Sequence, residues 1–165
     1  MQEICPGCGI VLKKNDAPAP THEYLGASPG CWALYNELHA KQYEGFGAMT
    51  RIRVIDAYAV QHPGVPERRA VQSVNAHLVA LYLQLEKNYD GARVNVALQR
   101  VLRFAQEFEW LAPPVPNGTL TVADILRAET PEHQADAIEN YAREIWNAWQ
   151  MHRATVLKWA VQAEA

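Results

Sequence analysis

The three cysteines of the chain are Cys5 and Cys8, set in Cys5-Pro6-Gly7-Cys8 ahead of Gly9, and Cys31, with His22 between them. A Cys-x-x-Cys pair on a Pro-Gly turn aims two thiolates at one point, and a third thiolate plus one imidazole completes a tetrahedral set of the kind that holds zinc. A thioredoxin-like redox pair would open a helix after a strand. Here Lys13-Lys14-Asn15-Asp16 and two prolines follow instead. An odd number of cysteines and the absence of a basic and apolar leader argue against exported disulfides, so the expected compartment is the cytoplasm.

The fourth ligand is expected to be His22, in the extended run Pro20-Thr21-His22-Glu23-Tyr24 that returns towards Cys31. His39 is less suitable, because it sits two turns along the helix that Cys31 begins. Cys5, Cys8, His22 and Cys31 are therefore the predicted zinc ligands, in a structural role because protein fills all four positions.

A second group of polar residues could also do chemistry. His62 ends the stripe Ile52, Ile55, Ala59, His62, His152 is in line with the apolar face of the last helix, and His77 flanks the apolar stripe of another helix. Three imidazoles facing inward from separate helices suggest a metal or catalytic pocket, with Asp56 or Tyr58 nearby as proton handler. Buried imidazoles otherwise leave polar nitrogens without partners. Asp56 could instead fix an imidazole tautomer. His133 is expected to be exposed.

These side chains must be carried by helices. Ser28 and Pro29 open a helix over 29 to 44, which stops at Gly45-Phe46-Gly47, and a second runs from 49 to 61 up to His62-Pro63-Gly64. A third extends from Pro66 to about 88, with Val71, Val74, Leu78, Leu81 and Leu85 on one stripe, and a fourth covers 92 to 109. Residues 112 to 118 form a proline-rich connector. Thr121 opens a short helix with Asp124 as its capping-box partner, and Thr130-Pro131 opens the last and longest, in which Tyr141, Ile145, Ala148, His152, Val156 and Trp159 share a face. No segment shows a convincing period of two. The expected fold is all-α: a zinc-knuckle segment over 1–31 and a helical bundle over 32–165, packed as one domain.

A hydrophobic content of 49 % in 165 residues supplies a proper core, and no apolar run is long enough to span a bilayer. The net charge of −3, without a basic stripe bearing interleaved aromatics, argues against a nucleic-acid groove.

The strings Cys5-Pro6-Gly7-Cys8-Gly9, His22-x-Tyr24-x-x-Ala27-Ser28-Pro29-Gly30-Cys31-Trp32, Asp56-Ala57-Tyr58-Ala59-Val60-Gln61-His62-Pro63-Gly64 and Ser73-Val74-x-x-His77-Leu78 resemble a family of small bacterial proteins classed as a domain of unknown function. Trp110-Leu111-x-Pro113-Pro114, Thr121-Val122-x-Asp124 and Trp146-x-x-Trp149-x-x-His152 extend the resemblance over nearly the whole chain. It implies a bacterial cytoplasmic protein, with His22 and Cys31 in a cysteine-rich opening and His62, His77 and His152 at recurring histidine positions. It implies no activity. A looser, architectural resemblance is to bundles of the DinB and YfiT type, which hold a metal with three histidines from separate helices, though at different spacing.

Two functions of different class fit these residues. One is a zinc-binding adaptor, its knuckle and the Pro113-Pro114-Val115-Pro116 surface meeting a protein partner. The other is a small metal-dependent enzyme, a hydrolase or transferase, working in a His62/His77/His152 pocket.

Overall fold

The structure is a computed structural model, and it describes residues 1–14, 20–45 and 48–164. The chain opens on a short antiparallel hairpin, β1 (Gln2–Ile4) and β2 (Val11–Lys13), in the register Gln2 to Lys13, Glu3 to Leu12 and Ile4 to Val11. The Cys-Pro-Gly-Cys loop is the turn of this hairpin: the Cys5 amide donates to Ile10 O at 2.9 Å, and the Gly9 amide to Cys5 O at 2.9 Å. Gly9 adopts φ +73°, a conformation that favours glycine. The all-α expectation is thus corrected by one two-stranded sheet. Three-residue strands with only the middle residue partly buried are too short to show alternation.

Seven α-helices follow among the described residues: α1 (Pro29–Gly45), α2 (Ala48–Gln61), α3 (Arg68–Leu85), α4 (Gly91–Val101), α5 (Val122–Leu126), α6 (Pro131–Ala148) and α7 (Arg153–Glu164). Their starts obey local capping chemistry. Ser28 Oγ accepts from the Cys31 amide at 3.3 Å, Asp90 accepts from the Arg93 amide, and Thr130 Oγ1 accepts from the His133 amide, with Pro131 behind it. The Asp124 carboxylate accepts from the Thr121 amide at 2.7 Å, completing the expected capping box. The hairpin docks through one carboxylate: Glu3 Oε1 accepts from Ser28 Oγ at 2.8 Å and from the Gly30 amide at 2.7 Å, at the positive end of α1.

Helices α2 and α3 form the middle of the bundle, flanked by α6 on α2 and by α4 and α7 on α3. Leu78, Leu81, Leu83, Ile138, Ile145, Trp149 and Trp159 are fully buried among them. The predicted long last helix is interrupted. A 3₁₀ turn over Gln150–His152 separates α6 from α7 just after Trp149, which is buried on the same face as Tyr141 and Ile145. Glu86, at the end of α3, straps this break by accepting from Trp146 Nε1 at 2.9 Å and from the Arg153 guanidinium at 2.6 Å.

A buried polar network locks the C-terminal end of α2. Asn117 Nδ2 donates to Val60 O and Gln61 O, which the helix itself leaves without partners, and Gln61 Nε2 donates to Leu120 O at 2.8 Å. Tyr141 donates to Gln61 Oε1 at 2.7 Å, and Trp149 Nε1 to Asn117 Oδ1 at 2.8 Å. Trp149→Phe is expected to destabilise the protein by about 1–3 kcal/mol in denaturant unfolding, because it strands the Asn117 oxygen in a dry core.

Candidate metal centre

The network matters because His62 follows directly on α2. Its ring is fully buried, and its Nδ1 lies 2.8 Å from Tyr58 O one turn earlier, so the ring donates there and Nε2 is left with its lone pair. Nε2 points at Cys31 Sγ, 3.4 Å away. Cys31, in the first turn of α1, is 3.7 Å from Cys8 Sγ, and Cys5 closes the group: one ligand atom from each of Cys5, Cys8, Cys31 and His62 lies within 4.8 Å of all the others. This Cys₃His group sits close enough to bind a metal ion. It is the one such cluster among the described residues.

The Cys8–Cys31 and Cys31–His62 spacings fit two edges of a tetrahedron. Zinc–sulfur bonds of about 2.3 Å and zinc–nitrogen bonds of about 2.0 Å imply sulfur–sulfur edges near ~3.8 Å and sulfur–nitrogen edges near ~3.5 Å. The observed 3.7 and 3.4 Å are those edges.

Hydrogen bonds support the sulfurs. The Ser28 amide donates to Cys5 Sγ at 3.5 Å, and Tyr58 OH lies 3.4 Å from Cys31 Sγ. Hydrogen bonds from Cys31 and Cys8 hold the Cys5 thiol far below the ordinary thiol range. Those same contacts, with burial, push Cys31 far up. The Cys31 bond draws Cys8 down, but the contact with Cys5 and burial outweigh it and carry Cys8 up to about 11. Burial first, then the neighbouring Cys31, raises Tyr58 well above the usual phenol range, so it remains a donor.

Close backbone packing fixes the approach of the knuckle to α2. A Cβ built on Gly7 would lie 2.4 Å from His62 Cδ2, 2.8 Å from Gln61 O and 2.9 Å from Gly26 O. Gly64, at φ +73°, would place a Cβ 2.3 Å from Tyr24 O, and the Gly26 amide donates to His62 O at 3.1 Å. Cys8 is the least buried ligand. It lines a cleft of about 330 Å³ between the knuckle and the Pro113–Pro116 loop.

The family model for DUF5946, a family of unknown function, matches residues 3–150. The chain belongs to this family. No curated protein and no solved structure matches it. The family match spans all four residues of the DUF5946 chain's cluster, Cys5 through His62, and brings no activity with it.

The structure therefore places Cys5, Cys8 and Cys31 together as the spacing predicted, but with His62 in the fourth position where His22 was expected. The His22 ring wedges edge-on against Tyr24 and Trp32, at 4.4 and 5.1 Å between centroids, and its Nδ1 accepts from the Tyr24 amide. It is not among the mutually close ligand atoms of the group. The expected convergence of His62, His77 and His152 is also not formed. His77 Nδ1 pairs with Asp56 Oδ1 at 2.7 Å, and His152 Nε2 donates to Ala112 O at 2.8 Å. Three different partners hold the three rings, so the arrangement of the three-histidine bundles does not arise. Asp56 and Tyr58, two residues apart in sequence, diverge likewise: Asp56 faces α3, where Gln84 Nε2 also donates to it, and Tyr58 faces Cys31.

Proposed function

We propose that Cys5, Cys8, Cys31 and His62 bind one zinc ion, and that the ion is structural. The observation that carries this reading is the pre-set imidazole: with Nδ1 committed to Tyr58 O, the only lone pair of His62 faces Cys31 Sγ at 3.4 Å, in a group whose three sulfurs all lie within 4.8 Å of it. Three thiolates and one imidazole are a soft set that favours zinc over the hard cations. Protein atoms fill all four positions, and Cys5, Cys31 and His62 are buried, which supports a closed site over a catalytic one with room for water. The ion replaces thiol protons and ties the hairpin to α1 and α2.

The protein then acts as a zinc-stabilised adaptor in a reducing compartment. Its partner-facing surface is the cleft beside Cys8, where the knuckle meets the Pro113–Pro116 loop and Val115 stands 97 % exposed. No helix among the described residues is long and apolar enough to cross a membrane.

Metal analysis of purified variants tests the ligand set. One zinc per chain is expected in the parent protein and in His22→Ala, and none in Cys8→Ser or His62→Ala. Loss of zinc in His22→Ala with retention in His62→Ala would overturn the assignment.

A further inference from the structure

A second polar cluster lies on α3 and shares no residue with the thiolate site. Arg69, Ser73 and His77 are spaced by four along the helix and form one stripe, with Arg69 in the first turn. All three line a cleft of about 370 Å³ with Gln72, Tyr24 and Leu102.

Two features make this more than a surface hollow. His77 is held from behind: Asp56, only 3 % exposed, takes its Nδ1 at 2.7 Å while also accepting from Gln84, which fixes the ring and leaves Nε2 as the nitrogen available to the cleft. Ser73 is 9 % exposed, and its hydroxyl has no hydrogen-bond partner among the described residues. A buried hydroxyl left without a partner costs stability, and Ser73 is part of the cleft wall, so an acceptor that enters the cleft and reaches this oxygen would relieve that cost.

We propose that this stripe binds a small ligand through an oxyanion, carboxylate or phosphate. Arg69 supplies the charge, Ser73 and the Gln72 side-chain amide supply neutral donors, and His77, whose Nδ1–H is committed to Asp56, supplies a fourth from Nε2 in its imidazolium form. Arg69 already holds a carboxylate, that of Glu23 at 2.6 Å. Glu23 is a largely exposed partner, and an entering anion exchanges with it. Ser73 and His77 are also the polar residues of the Ser73-Val74-x-x-His77 string, which the thiolate site leaves without a role.

The test is a titration of the full-length, metal-loaded protein with inorganic phosphate and, separately, acetate at constant ionic strength. Imidazole resonances are followed, with His77 assigned through His77→Gln and exposed His133 as the internal control. A saturable shift of His77 alone is expected. Arg69→Gln weakens binding by about tenfold or more, and Ser73→Ala by about three- to tenfold. Glu23→Gln removes the competing carboxylate and tightens binding by about two- to fivefold.

Ser73→Ala also separates a binding role from a structural one. It deletes a hydroxyl that has no partner among the described residues, so its melting temperature is expected to hold or rise while affinity falls. Saturation by phosphate alone assigns a phosphate ligand, and equal saturation by acetate assigns a carboxylate. A shift linear in concentration and shared with His133, or unchanged affinity in both Arg69→Gln and Ser73→Ala, overturns the proposal.

Discussion

Cys31→Ser is expected to purify without zinc and to melt well below the parent protein, and chelation of the parent is expected to reproduce the same loss. Structural zinc contributes an apparent ~10–16 kcal/mol in small peptide sites, against a total stability of about 5–15 kcal/mol for an ordinary domain. Even about 4 kcal/mol of that, in a chain of this size, lowers the melting temperature by about 8–16 °C. The helices have a core of their own around Leu78, Leu81, Trp149 and Trp159, so far-ultraviolet dichroism at room temperature should stay helical. What is lost first is the hairpin, whose β1 and β2 expose Ile4 and Val11 and which rests on α1 mainly through Glu3. Differential scanning calorimetry with elemental analysis checks this. An unchanged melt after complete chelation would falsify the structural role of the ion.

Gly7→Ala should damage the same centre without touching a ligand. Two of the three atoms its Cβ would strike, Gln61 O and Gly26 O, are backbone, and the third belongs to the His62 ring, so none moves cheaply. The cost is expected at or beyond the upper end of the ~1–3 kcal/mol typical of overpacking, and the displaced imidazole should weaken zinc binding by about 10- to 100-fold. Gly9→Ala is the informative control. Nothing surrounds its Cβ, and only its φ of +73° opposes the change, at about 1–2 kcal/mol. Competition with a chromogenic chelator should find Gly9→Ala close to the parent and Gly7→Ala far weaker. Equal affinities would show that close packing of the knuckle on His62 is unimportant.

The three cysteines were legible because their chemistry is local: a Pro-Gly turn orients Cys5 and Cys8, and a capped helix start orients Cys31. The fourth ligand was not, because proximity along the chain favoured His22 and nothing local reveals that α2 returns its end to the knuckle. A signal for His62 was nevertheless present. It ends an inward stripe immediately before Pro63-Gly64, and a buried imidazole demands a partner. The same signal fits a pocket with His77 and His152, because helical faces alone do not say which imidazoles meet.

Helix starts are legible because the capping residues Asp90, Thr121 and Thr130 are sequence signals in their own right, but the helix expected over 92–109 is α-helical only to Val101 and continues as a 3₁₀ stretch over Leu102–Glu107. The break before α7 was missed because Gln150-Met151-His152 contains neither glycine nor proline. The pull there is tertiary, from the Asn117 oxygen on Trp149 and from Glu86 on both Trp146 and Arg153.

Three of the four ligands belong to the first thirty-one residues, but the last is presented by a helix that the rest of the bundle must first assemble. A free peptide of residues 1–31 would hold an ion by sulfur alone, with the fourth position open to solvent or to a thiol scavenger. Tight retention is therefore a readout of completed assembly. If the group holds an ion as proposed, α2 must leave the ribosome before all four side chains can close on it, because His62 follows that helix. In a cell where free zinc is scarce, half-made copies would surrender their ion to competing chelators, and finished ones would keep it.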